Sequence, residues 1–190
     1  MGKYVERGRQ PPHPVGADDP GAIALLKEEH QIFRSLFDRA EDAEGEDMVR
    51  IARELCMRLD VHMTIEEEIL YPALAPLIGQ DEINEGIVEH GSGKALIEEL
   101  EQLDGTEELF KTKVHVLGEI TTHHIDEEDE DMFADATEAH RAGRIDLDAL
   151  GAELDRRRTE LFANIEQSGD EGPTDETEAS EIETVVSEAG

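Results

Sequence analysis

Tryptophan is missing from this 190-residue chain, aromatic residues make up 4% of it, and cysteine occurs once. With so few rings, and with leucine, isoleucine and alanine carrying the apolar content, the composition favours packed helices over sheets. A lone Cys56 excludes an intramolecular disulfide, so a reducing compartment is the expectation. Basic charge is scarce: 17 lysines and arginines face 49 aspartates and glutamates, for a net charge of −32. A polyanion would be repelled over most of such a surface, so neither nucleic acid nor an anionic membrane is expected as a partner. No apolar run approaches the roughly 20 residues that span a bilayer. The stretch MGKYVERGRQPPHPVG has no apolar signal region, and Glu6 stands where a myristoylation signal needs Ser or Thr. The expectation is a soluble, cytoplasmic chain of one domain with tails.

Punctuation by Pro, Gly and Asp divides the chain. Residues 1–19 read as a disordered N-terminal segment, 20–165 as a helical domain, and 166–190 as a disordered acidic tail. Asp19 before Pro20 reads as an N-cap opening a first helix over 20–43. A second helix is expected over 46–75, ending near Pro72 and Pro76, a third over 81–103 and a fourth over 106–140. A weaker pattern over 147–165 predicts a short fifth helix. Four long helices with short connections predict an all-α, antiparallel up-down-up-down four-helix bundle, with the fifth as an appendage.

Each long helix carries a histidine on its apolar stripe. His30 lies among Ile23, Leu26, Phe33 and Phe37; His62 among Leu55, Leu59, Ile65 and Ile69; His90 among Ile83, Ile87 and Ile97; and His124 among Leu117, Ile120 and Met132. Glu66 follows His62 by four residues and Glu128 follows His124 by four. That spacing turns about 40° around a helix, so each pair projects side by side from one face. An unpaired buried carboxylate costs several kcal/mol, and only Arg58 and Lys94 lie at the edges of these inward faces. A metal ion accounts for the carboxylates. The offsets Glu66, Leu70, Tyr71 after His62 recur as Glu128, Met132, Phe133 after His124, which favours this register; His123 with Glu127 has the same spacing and stays open. Glu67, Glu68, Glu127, Asp129, Glu130 and Asp131 read mainly as solvated acids, His115 as exposed, and His13 and His140 as loop residues. Phe33, Phe37, Tyr71 and Phe133 read as walls, with Tyr71 able to reach a bound ligand.

The order His30, His62-x-x-x-Glu66, His90, His124-x-x-x-Glu128, carried by LLKEEHQIF, VHMTIEEEILYPAL, VEHGSGKALIEEL and HHIDEEDEDMF, resembles the hemerythrin-like, HHE cation-binding family over 22–162. The resemblance implies a four-helix bundle around two non-haem iron ions, with His30, His62, His90 and His124 as terminal ligands and Glu66 and Glu128 as bridges. Oxygen-carrying members have a fifth histidine paired at four-residue spacing on the third helix. Here Gly91, Ser92, Gly93 and Lys94 follow His90, which leaves a more open site unless His123 or a water completes it. Ala134 stands where relatives often have proline. No Glu-x-x-His occurs, which disfavours the ferritin-like ligand pattern.

The resemblance implies binding or sensing of dioxygen or another small diatomic ligand at the iron pair. Turnover of peroxide or nitric oxide at the same site is the alternative, with iron storage or donation for iron-sulfur repair as a third. Repair relatives commonly carry a cysteine-bearing N-terminal domain, and the cysteine-free start here weighs against that role. Whether the protein is an enzyme is left open by the sequence, and no protein partner is indicated.

Overall fold

The computed structural model describes residues 14–170. Most of the N-terminal segment, His13 included, and the tail from 171 lie outside the described residues. All regular elements within the described residues are helical: α1 (Gly21–Asp42), α2 (Gly45–Ile65), α3 (Tyr71–Ile78), α4 (Gln80–Glu101), α5 (Phe110–Glu127), α6 (Phe133–Arg141) and α7 (Leu147–Asp170). Short π turns, Glu66–Leu70 and Glu128–Met132, join α2 to α3 and α5 to α6, so these pairs form two continuous rods. With α1 and α4 they make the four-helix bundle, in which α1 packs on α2, α2 on α4, α4 on α5, and α5 back on α1.

Pro72 does not end the second rod, contrary to the expectation. It falls in the first turn of α3, directly after the π turn, where a helix tolerates a missing N–H. The rod stops at Gly79, whose φ of 114° disfavours any side-chain-bearing residue. Asp19 is not an N-cap either: Pro20 holds that position, and the Asp19 carboxylate accepts from Gly16 N–H at 2.8 Å and Lys27 at 3.0 Å. The exposed N–H of Gly21 is met from the far end of the chain, by Asp148 Oδ1 at 2.8 Å.

The fifth helix is longer than expected and is no appendage. Its Leu147 and Leu154 are fully buried against α1, and a Cβ on Gly151 would lie 2.5 Å from the backbone of Gly21 and Ala22. Only glycine allows the two helices so close. His140, expected in a loop, ends α6 and accepts from Leu147 N–H at Nδ1, tying the turn into α7.

Two apolar cores divide the bundle interior. One centres on Phe33, Leu55, Leu59, Ile97, Phe110 and Leu117; the other on Ile23, Leu26, Ile65, Leu70, Leu74 and Phe133. Between them runs a layer of buried polar side chains, among them His30, His62, Glu66, His90, His124 and Glu128.

Candidate metal centre

All six residues singled out in the sequence meet in that layer. His30, His62, His90, His124, Glu66 and Glu128 come from four different rods and are all buried, Glu66 completely. His30, His62, Glu66 and Glu128 bring ligand-type atoms within 4.8 Å of one another, as do Glu66, His90 and His124. The two groups share Glu66, and each of its oxygens serves one of them: Oε1 is 3.3 Å from His62 Nε2 and Oε2 is 3.3 Å from His90 Nε2. Glu128 divides itself likewise, with Oε2 at 3.4 Å from His30 Nε2 and Oε1 at 3.5 Å from His124 Nε2. Two carboxylates thus span two half-sites, one built on His30 and His62, the other on His90 and His124.

The other ring nitrogens are held by four more carboxylates. His62 Nδ1 lies 2.9 Å from Glu29, His90 Nδ1 3.0 Å from Glu67, His124 Nδ1 2.7 Å from Glu89, and His30 Nδ1 2.9 Å from Asp129. A carboxylate only accepts, so each Nδ1 carries the proton and each Nε2 is aimed at the centre, the arrangement that orients metal-binding imidazoles. Each of these acids adjoins one of the six central residues in sequence yet grips a histidine on a neighbouring rod. The chain of contacts runs from α1 to α2, α2 to α4, α4 to α5, and α5 back to α1, closing a ring.

Most of this ring is not evident from the sequence. Nothing there singles out Glu29 or Glu89, and Glu67 and Asp129 read chiefly as solvated acids, though Asp129 is buried. A signal is present all the same: an acid stands immediately beside each of His30, Glu66, His90 and Glu128. His123 and Glu127, the open alternative, point outward, His123 being 66% exposed, so His123 does not complete the buried centre. His115 is exposed as expected.

Tyr71 does enter the centre. Its hydroxyl donates to Glu128 Oε1 at 3.0 Å and lies 3.2 and 3.4 Å from Nε2 of His90 and His124. Gly86, one helical turn before His90, makes the room: a Cβ there would come within 2.9 Å of that hydroxyl. The Tyr71 hydroxyl thus fills the space above Gly86. Phe37, by contrast, turns away from the centre and lines a cavity of about 900 Å³ between α1 and α5.

The electrostatics of this cage are unresolved by the protein itself. Burial opposes charge on His30, yet Asp129 and Glu128 outweigh it and raise its pKa to about 9; His124 rises to about 9 against burial through Glu128 and Glu89. His90 is pushed down to about 4 by burial and the charge on His124, so His124 Nε2–H donates to His90 Nε2 across 2.9 Å. Burial and the adjacent Glu128 lift Glu66 to about 8; Glu128, despite its own burial, is held low by His124 and His30. Tyr71 is driven upward by burial and by Glu128 and Glu66, and stays protonated. Even so, Nε2 of His30 and His62, both oxygens of Glu66 and Oε2 of Glu128 find no hydrogen-bond partner. Buried polar atoms without partners each cost about 1–3 kcal/mol, and these five all belong to the two half-sites. Cations suit them: imidazole nitrogens with shared carboxylates form a donor set for iron, manganese or zinc.

Comparison with known proteins agrees. Residues 21–136 match the hemerythrin HHE cation binding domain, and the chain belongs to that family. A crystal structure of a hemerythrin HHE cation binding domain-containing protein from Mycobacterium kansasii shares the fold, with a TM-score of 0.65 and 22% identity over 79% of this chain and 92% of that one. A DNA nickase of Nostoc sp. (strain PCC 7120) is 30% identical over 76 residues, 40% of this chain. The match covers 22% of that protein's length. No helix among the described residues is long and apolar enough to cross a membrane.

Proposed function

We propose that the buried centre holds two iron ions bridged by Glu66 and Glu128, with His30 and His62 on one ion and His90 and His124 on the other, and that the pair binds dioxygen or another small diatomic ligand. The observation that carries this reading is the division of labour in the two glutamates, one oxygen of each facing either half-site. Iron, when bound, supplies the electrons that such ligands require. The chain's own residues do the rest. Glu29, Glu67, Glu89 and Asp129 fix the imidazoles, the flanking apolar cores exclude bulk water, and Tyr71 holds a proton at its hydroxyl within the second half-site.

That hydroxyl favours a second reading, turnover of peroxide or nitric oxide, because both reductions consume protons and Tyr71 keeps one beside the second half-site, where it can donate a hydrogen bond to a bound ligand. DNA nicking, named for the Nostoc relative, is not carried over: the match is 22% of that protein, and a chain of net charge −32 repels a polyanion. Anaerobic loading with ferrous iron, with metal counted per chain and air then admitted, tests the proposal. Two irons and a visible band that fades on removing oxygen support binding or sensing. Two irons with irreversible oxidation and rapid loss of added peroxide support the enzyme, and a stoichiometry below two overturns the paired centre.

A further inference from the structure

Three of the four carboxylates that hold the histidines are paired with a basic lysine or arginine side chain. Glu29 is paired with Arg158 at 3.3 Å, Glu67 with Lys94 at 2.7 Å, and Asp129 with Arg34 at 3.5 Å. Glu89 is the exception. Among the described residues no lysine or arginine pairs with it; its free oxygen Oε1 instead faces His123 Nε2 at 3.7 Å, and that nitrogen lies 3.3 Å from Glu127 Oε1. One oxygen of Glu89 therefore holds a histidine of the buried centre, while the other belongs to a second cluster of a histidine and two glutamates whose ligand atoms lie within 4.8 Å of one another.

His123 and Glu127 repeat the four-residue spacing of His124 and Glu128, one residue earlier on the same helix. A one-residue step turns about 100°, which points the second pair at solvent beside Glu89 of α4. An imidazole and two carboxylates from adjacent helices form a nitrogen–oxygen donor set for a divalent first-row cation, with remaining positions left to water. We propose that Glu89, His123 and Glu127 form an outer divalent-cation site through which metal reaches the buried pair. This rests on the metal reading of the buried centre, to which Glu89 is the shared link. The missing basic partner is what the exchangeable cation replaces.

His123→Ala tests it, because the substitution removes the directed ligand without changing the formal charge, and diffuse counterion binding to so acidic a surface is preserved. Manganese is the probe, at about 0.15 M salt to screen that surface. The wild-type chain, with its buried pair filled, takes one further Mn2+ that gives the magnetic resonance signal of an isolated ion. In the variant, affinity for that ion falls tenfold or more and the buried pair fills more slowly to the same final count. A variant that binds the extra ion as tightly as the wild type, or fills the pair as fast, overturns the proposal, as does a wild type that takes no third ion. Failure of the underlying reading is separate: the spectrum of a bridged manganese pair would then be missing from both proteins.

Discussion

The two half-sites are near copies with one chemical difference. In each, a helix delivers histidine and glutamate four residues apart, a π turn begins at that glutamate, and the first residue after the turn is aromatic. Phe133 stacks on His30 with ring centres 5.6 Å apart; Tyr71 stacks on His90 at 5.4 Å. His62 adds Phe33, edge-on at 5.0 Å, so hydrocarbon seals the first half-site. The second has a hydroxyl in the same place, three atoms of the cage within reach of it, and Gly86 beneath. The first half-site is thus walled by hydrocarbon, and the second places a hydroxyl among its ligand-type atoms, where the proposed function gives it a ligand and a proton to handle.

The largest test of this division removes what the halves share. Glu66→Ala deletes one oxygen from each, and metal content should fall from two ions to one or none; an unaltered count by elemental analysis would sink the bridging assignment. Gly86→Ala attacks the second half-site alone. The new methyl collides with the Tyr71 hydroxyl and ring edge, and the strain, about 1–3 kcal/mol, should empty that half first, leaving a one-ion protein. Tyr71→Phe makes the halves alike. Both ions should still bind, while the metal-free protein changes stability by about 1–3 kcal/mol as Glu128 Oε1 loses its donor; in the loaded protein, peroxide loss should slow if the proton reading holds, and ligand release should quicken if the hydroxyl steadies a bound diatomic.

Acidity offers a milder test. His30 and His124 have folded pKa values near 9 against 6.5 unfolded, so their contribution to stability is fully present below pH 6.5 and is lost as pH rises through about 9. Denaturant titrations of the metal-free protein should therefore show alkaline weakening, and the loaded protein, whose ions displace those protons, should not. Truncation after Gln167 should matter least. It removes the last residues of α7 together with all that follows, and metal per chain should stay the same.

The six central residues are legible in the sequence because two requirements coincide in them. A four-residue histidine–glutamate spacing on an apolar stripe buries a carboxylate that no nearby lysine or arginine can neutralise, and a cation meets that need. The ring of carboxylates is harder to read, since Glu29, Glu67, Glu89 and Asp129 occur in a chain where acids are everywhere. Their partners lie on other rods, and only three-dimensional packing distinguishes Asp129, buried on His30, from the exposed Glu130 and Asp131 beside it. The helix boundaries are obscured for a similar reason. Pro72 signals an ending, and nothing local reveals that a π turn prepares a place for it. The weak pattern of α7 conceals a helix whose deepest contact, at Gly151, is made by a residue with no side chain to contribute to any pattern.

Those π turns also govern what kinds of change the protein can tolerate. Each spends one residue more than an α-helical turn would, so the glutamate before it and the aromatic ring after it are set at a phase that an uninterrupted helix of the same residues cannot supply. Losing a single codon from the stretch encoding 68–70 would remove that extra residue and let the turn close as ordinary α-helix, with the N–H of Tyr71 still bonded one turn back to the Glu66 carbonyl. The hydroxyl would stay near the cage while the motif, read as text, looked altered.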